Sequence, residues 1–283
     1  MFPETLIRPA KPGDSEAIAA LMREGVTDQV RRITIMGSPH IAQFIADELA
    51  QEGNEEYVVG TMQARVVGMC SWKHTDEALH LNHLYLAWDV RGYGLGTALM
   101  LDGLNRIQRA SERALSVDVF FDNPRAQNWY RALTMQPEKP VHWVRLPLPM
   151  VRSGDRSGYT ISGLAEATAK HLRYGFSQFA LSTRSAHYHI GQLGAHEFRV
   201  GTVSILQDCA ALEGLAQIDP KRQLLCIASA EDCAQLTLDA NTCVAKSERL
   251  VSSCAVVRER LESSLSRRRN LRQTIPIRFP MGS

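Results

Sequence analysis

Apolar side chains change their period several times along the chain, and each change marks an element. Thr5 to Arg8 is a short β-like run, and Pro9 with Pro12-Gly13-Asp14-Ser15 supplies turn and helix-cap chemistry. Ile18, Leu21 and Met22 then recur three and four residues apart, which predicts a helix to about Glu24 with one apolar face. Ile41, Phe44, Ile45 and Leu49 predict a second helix from about Pro39 to Gln51. From Glu56 the pattern becomes β-rich: Tyr57 to Met62 and Ala64 to Trp72 are joined by a link short enough for a hairpin, and Leu79 to Leu86 extends them into an antiparallel meander. A glycine-punctuated loop leads into a helical pattern from about Gly94 to Ser111. A strand from Leu115 to Phe121, a short helix from about Arg125 to Leu133 and a strand from Val141 to Leu146 follow. That order reads as one mixed α/β (α+β) domain spanning residues 1–146.

Residues 147–158, with Pro147-Leu148-Pro149 and Ser153 to Gly158, read as a linker. Beyond it, Gly175 to Leu181 and His187 to Gly191 look like paired strands, Leu224 to Ala228 like another and Leu250 to Val257 like a last one. Helices are expected over about Gln207 to Ile218 and Glu231 to Asn241. Phe198 to Leu206 suits either state, since its β-branched residues favour a strand and its apolar spacing a helix. Residues 159–260 are thus expected to form a second, smaller α/β domain, and 261–283 a basic tail.

At 283 residues the chain is long enough for two cores. A composition 45% hydrophobic and 22% charged is that of a globular protein. The net charge of +2 gives no overall argument for nucleic acid or an anionic membrane as partner. No apolar run approaches the roughly 20 residues that cross a bilayer, and the start lacks a basic region followed by an apolar one, so a cytoplasmic protein is expected. The six cysteines show no zinc-type spacing and are read as reduced, packed thiols, Cys70 included.

The chemistry concentrates at Arg91-Gly92-Tyr93-Gly94-Leu95-Gly96, between a strand and a helix. Glycines let backbone approach an anion, and the first amides of the helix, through Thr97, have no intrahelical acceptor. A pyrophosphate suits such a site, with Arg91 adding a charged donor. A dinucleotide fingerprint fits less well, because the loop follows antiparallel strands, and no Gly-Lys-Ser/Thr follows for a Walker site. The pattern matches the Arg/Gln-x-x-Gly-x-Gly/Ala motif, and Asn123-Pro124-Arg125-Ala126-Gln127-Asn128-Trp129-Tyr130 matches the Asn-x-x-Ala-x-x-x-Tyr element, of GCN5-related N-acetyltransferases (GNAT). Residues from about 5 to 146 resemble that family, although Thr134-Met135 stands where Gly-Phe usually follows the tyrosine.

The resemblance implies a central mixed, mostly antiparallel sheet flanked by helices and acetyl-CoA as cosubstrate. Leu84, Tyr85 and Leu86 would lie along the pantetheine arm, Arg91, Gly92, Tyr93, Gly94, Leu95, Gly96 and Thr97 at the pyrophosphate, and Asn123 on the pantetheine. It further implies direct transfer to an amine of a small molecule, peptide or protein. An alkylamine with a pKa near about 10.4 is neutral in on the order of one molecule in a thousand at pH 7, so a base is useful. Strict alternation places His80, Asn82, Leu84 and Leu86 on one strand face and Leu81, His83 and Tyr85 on the other. By the resemblance His80 is the base, through a water, with Asn82 orienting that water or the substrate, and Tyr130 the acid for the leaving thiolate. A β-bulge would hand the base role to His83, and His80 paired with a neighbouring polar group is the alternative.

The C-terminal half weakly resembles a second, degenerate GNAT-like domain without its own phosphate pattern, forming one wall of the acceptor site or a homodimer contact. His187, His189 and His196 lack a carboxylate or cysteine to complete a metal set. Arg258, Arg260, Arg267, Arg268, Arg269, Arg272 and Arg278 outnumber Glu259 and Glu262, which fits a solvated tail or contact with an acidic partner or nucleic acid. A longer acyl chain, or acetyl-CoA sensing without turnover, stays open.

Overall fold

The computed structural model describes residues 5–51, 55–75, 78–148, 158–236 and 239–274. Most of the expected linker and the last nine residues of the tail lie outside the described residues, Arg278 among them. The first half runs β1 Thr5–Pro9, α1 Ser15–Glu24, α2 Asp28–Arg32, α3 Ile41–Ala50, β2 Glu55–Met62, β3 Arg65–His74 and β4 Ala78–Leu86. It continues α4 Leu95–Ile107, β5 Ala114–Phe120, α5 Pro124–Ala132, β6 Gln136–Pro137 and β7 Val141–Pro147. The second half adds β8 Thr160–Ser162, α6 Leu164–Tyr174, β9 Phe176–Ser182, β10 His187–Leu193, β11 Glu197–Val200 and α7 Cys209–Ile218. Then come β12 Gln223–Ala228, α8 Ala230–Gln235, β13 Cys243–Ser253 and α9 Cys254–Thr274.

All the strands join in one mixed sheet, in the order β1-β2-β3-β4-β5-β13-β7-β12-β11-β10-β9-β8, with β6 beside β13. Its sequence-distant feature is at the centre. β13, near the end of the chain, lies antiparallel between β5 and β7, so the last strand of the first half borders β12 of the second half instead of β5. Each half therefore completes its sheet with a strand contributed by the other.

Helices cover both faces of the first half. Leu99, Met100 and Leu104 of α4, Tyr130 of α5, and Val257 and Leu261 of α9 pack on Leu79, Leu81, Leu115 and Val117. Ile18 and Met22 of α1 with Ile41 and Ile45 of α3 cover Val59 and Met69 on the opposite face. Phe179, Leu181, Ile190, Phe198, Leu215 and Leu224 form the core of the second half. Each fully buried side chain of this size contributes roughly 1.5–3 kcal/mol, so the faces of α4 and α9 matter more to the fold than helix propensity does.

Three expectations need correction. The last strand occupies Cys243–Ser253 and not Leu250 to Val257, because Cys254, Val257 and Leu261 bury one helical face from Cys254 onward. The helix expected to reach Ser111 ends at Ile107, and the one expected to reach Asn241 ends at Gln235. The helix α6 was not anticipated; Ala167 is its one fully buried residue, so its apolar period is thin.

Candidate active site

The site begins where two strands part. β4 and β5 pair in parallel from Ala78 with Ala114 only as far as Leu81 with Val117. Beyond that point the stretch from Asn82 to Leu86 has β3 on one side and an opening on the other. β4 also carries an extra residue, since Ser71 of β3 faces His83 while Trp72 faces Leu81. This bulge reverses the alternation: Leu79 and Leu81 before it, and Leu84 and Leu86 after it, all belong to the same core cluster, whereas Tyr85 packs with the opposite one. The strict alternation expected for this strand is thereby corrected: His83 stays with Tyr85 as expected, but Leu81 shares the face of Leu84 and Leu86, and His80 does not.

At the end of β4 the chain turns through Gly92 (φ +85°) and Gly94 (φ +97°), left-handed conformations that favour glycine. Gly94 is the N-cap of α4 and no side chain caps the helix. The amides of Leu95, Gly96 and Thr97 consequently point out of the helix end without intrahelical acceptors. Arg91 stands beside them, its Nε donating to the Leu86 carbonyl at 3.0 Å and its guanidinium 3.9 Å from the centre of the Trp88 ring. Burial lowers its pKa from the ordinary value, and Arg125 nearby adds to the effect. An anion would relieve that unfavourable proximity of like charges.

Two cavities meet at the parted strands. The first, about 290 Å³, reaches from the parted edge of β4 to Gly92, Gly94, Gly96 and Thr97. The second, about 430 Å³, is lined by Asn82, His83, Trp88, Asp118 and Asp122. They share Gly25, Leu84, Tyr85, Arg91, Asn123, Ala126 and Tyr130. A bound molecule can therefore pass from an anion site at a helix end to a chamber with titratable groups.

The model of the acetyltransferase (GNAT) family matches residues 26–135. The N-terminal half carries a GNAT domain. Among solved structures, a tandem GNAT protein from the clavulanic acid biosynthesis pathway, without acetyl-CoA, is similar with a TM-score of 0.57 at 12% identity, covering 89% of this chain and 99% of that one. An acetyltransferase structure from Pyrococcus horikoshii has a TM-score of 0.58 at 14% identity, covering 89% and 90%. A GCN5-related N-acetyltransferase from Kribbella flavida reaches 0.51 at 12%, covering 88% and 71%. At these identities the likeness is one of fold, and it makes the C-terminal half a second GNAT-like half. No curated protein sequence matches the chain.

Within the GNAT domain, the residues expected at the site separate into two groups. Leu84, Tyr85, Leu86, Arg91, Gly92, Gly94, Gly96, Thr97, Asn123 and Tyr130 line the first cavity, while Tyr93 is largely exposed and Leu95 packs in the core. Asn123 also caps α5, its Oδ1 accepting from the Ala126 amide at 3.1 Å. Tyr130 is buried, and burial raises its phenol pKa far above the ordinary value, so it keeps its proton.

His80 and His83 have different surroundings. The His80 imidazole sits 2.9 Å from Ser116 Oγ, with Nε2 3.9 Å from Asp118, and it lies outside the lining of both cavities. His83 lines the second cavity. Burial lowers its pKa, which keeps it neutral near pH 7, and Glu55 opposes that shift. Burial pushes Glu55 upward, but His83, Lys73 and the Asn82 amide, which donates to Glu55 Oε1 at 2.8 Å, together hold it below the ordinary carboxylate value. Asn82 thus ties a buried anion to the cavity wall beside His83.

Sequence reasoning did not place Gly25, Arg125, Ala126, Trp129 or Arg268 in the site; all five line the first cavity. Arg125, Ala126 and Trp129 fall within the quoted Asn123 to Tyr130 element, where helical spacing from Asn123 singles out Ala126 and leaves Arg125 and Trp129 off that face; Gly25 and Arg268 arrive by tertiary contact alone.

Proposed function

We propose that the GNAT domain transfers an acetyl group from acetyl-CoA to an amine by direct attack, both substrates being bound together. The observation that carries this reading is the junction of the two cavities at Leu84, Tyr85, Asn123 and Tyr130. One cavity ends at the uncapped start of α4, where the amides and Arg91 suit a diphosphate. The other ends at His83 and at Glu24 and Asp122, whose carboxylates suit a cationic amine, while Asp118 on the same wall is already paired with Arg249. When bound, acetyl-CoA supplies an activated acyl carbon.

The chain's own groups supply the rest. The Leu84 to Leu86 stretch, freed from β5, offers backbone amides to the acyl oxygen. His83, neutral because it is buried, accepts the amine's proton, directly or through a water that Asn82 orients. Tyr130, still protonated, donates toward the departing thiolate. His80, expected as base by resemblance, is paired with Ser116 and serves the strand junction in this reading.

Turnover of acetyl-CoA with a panel of alkylamines tests it, alongside His83→Ala, His80→Ala and Tyr130→Phe. Loss of turnover in the first and third, with His80→Ala retained, supports the assignment. Coenzyme binding without turnover of any amine by the parent chain contradicts catalysis.

A further inference from the structure

The basic end of the chain includes arginines that are not simply solvated, and one of them reaches the candidate site. β13 enters the sheet beside β5, and α9 leaves it antiparallel to α4 on the same face. The Cys254 amide donates to the Arg113 carbonyl at 2.8 Å, and Arg258 Nε donates to Asn105 Oδ1 at 2.9 Å near the end of α4. Val257 and Leu261 are fully buried, so the register of α9 along α4 is set by the core. The far part of α9 consequently reaches the beginning of α4. There Arg268 Nη1 donates to the Gly92 carbonyl at 2.8 Å.

Arg268 lines the first cavity. A Cβ built on Gly94 would lie 3.3 Å from Arg268 Cδ and 3.9 Å from Leu265 Cδ2, so the arginine stem runs over the glycine. Among the described residues Arg268 has no carboxylate partner, and its guanidinium carries five N–H donors, one of them satisfied by Gly92. With Arg91 and Arg125 it makes three arginines on the cavity wall, and among the described residues no acidic side chain lines that cavity. Such a wall fits a polyanion, and an arginine fork matches phosphate oxygens in shape as well as charge.

We propose that Arg268 binds a phosphate group of the coenzyme, so that the C-terminal helix closes the cofactor site of the N-terminal GNAT domain. The inference rests on the coenzyme reading above and adds a residue from the other half of the chain to it. It also gives one member of the arginine-rich tail an intramolecular task.

The test is calorimetric titration of the full chain with coenzyme A, dephospho-coenzyme A and pantetheine, for the parent, Arg268→Ala, Arg268→Lys and Arg267→Ala. Arg267→Ala loses the same charge one residue away, where Arg267 Nε donates to the Ser263 carbonyl of its own helix. We expect Arg268→Ala to weaken coenzyme A about tenfold or more, Arg268→Lys less, and Arg267→Ala by less than about twofold. Pantetheine, with no phosphate, should be bound equally by the parent and Arg268→Ala. If dephospho-coenzyme A shows the same loss, the contact is with the diphosphate; if it shows none, the contact is with the 3′-phosphate. Coenzyme A binding unchanged by Arg268→Ala, or weakened equally by Arg267→Ala, overturns the inference alone. A parent chain that binds no coenzyme A overturns the underlying reading and this one with it.

Discussion

Leu250 of β13 lies opposite Val117 of β5, and both are buried in the core of the N-terminal GNAT domain. The two are far apart in the chain. Cys254, Val257 and Leu261 belong to that same core. A chain ending at residue 158 would leave β5 without its β13 neighbour and α4 without α9. We expect that fragment to be insoluble or molten when its near-UV dichroism and thermal melting are measured, and Leu250→Ala in the full chain to cost about 2–5 kcal/mol in urea titration. A fragment that melts cooperatively would contradict the strand exchange.

Gly103 lies inside α4, where alanine would ordinarily gain about 1 kcal/mol from helix propensity. Here a Cβ would meet Trp72 Nε1 at 2.3 Å. Trp72 is fully buried and its Nε1 donates to Cys70 Sγ at 3.3 Å, so the ring cannot yield cheaply. The steric term outweighs propensity. Gly103→Ala is expected to destabilise by about 1–3 kcal/mol, read from the denaturation midpoint.

Burial lowers the pKa of His83 and the charge of Glu55 raises it, burial prevailing. The acid limb of kcat/KM should therefore fall below about 6.5, the ordinary histidine value. Glu55→Gln removes the opposing charge, so the limb should move to still lower pH. His83→Ala should remove the limb and reduce kcat by about a hundredfold or more. His80→Ala should leave the limb in place; movement of the limb in that variant instead would assign the base to His80.

Gly94 serves α4 with φ +97° and lies under the Arg268 stem. Gly94→Ala meets both a left-handed backbone penalty of about 1–2 kcal/mol and a close contact. Coenzyme A affinity should fall by about tenfold, while Gly13→Ala, at a position with open space around it, should leave it unchanged. Calorimetry on both variants distinguishes a local effect from a general loss of fold.

Most of the first half was legible because its elements are amphipathic: α1, α3 and the β2–β3 hairpin follow apolar periods that match their buried positions. The turn before α4 was legible because glycine at Gly92 and Gly94 answers a backbone demand. The face of His80 relative to Leu84 and Leu86 was not, since the bulge at Asn82 depends on how β3 and β4 pair and leaves the alternation in the sequence intact. The neighbour of β5 was not legible either, because β13 comes from distant sequence and strand periodicity carries no partner identity. Arg268 was hidden for the same reason: its role follows from α9 lying on α4, and in the sequence it is one arginine in a run.

Calorimetric titration of coenzyme A into the full chain is the most direct test of the site at the start of α4. One molecule should bind per chain with a Kd on the order of micromolar, about −8 kcal/mol, and Gly94→Ala should weaken it. Absence of binding by the unaltered chain across a range of temperatures would contradict the site altogether.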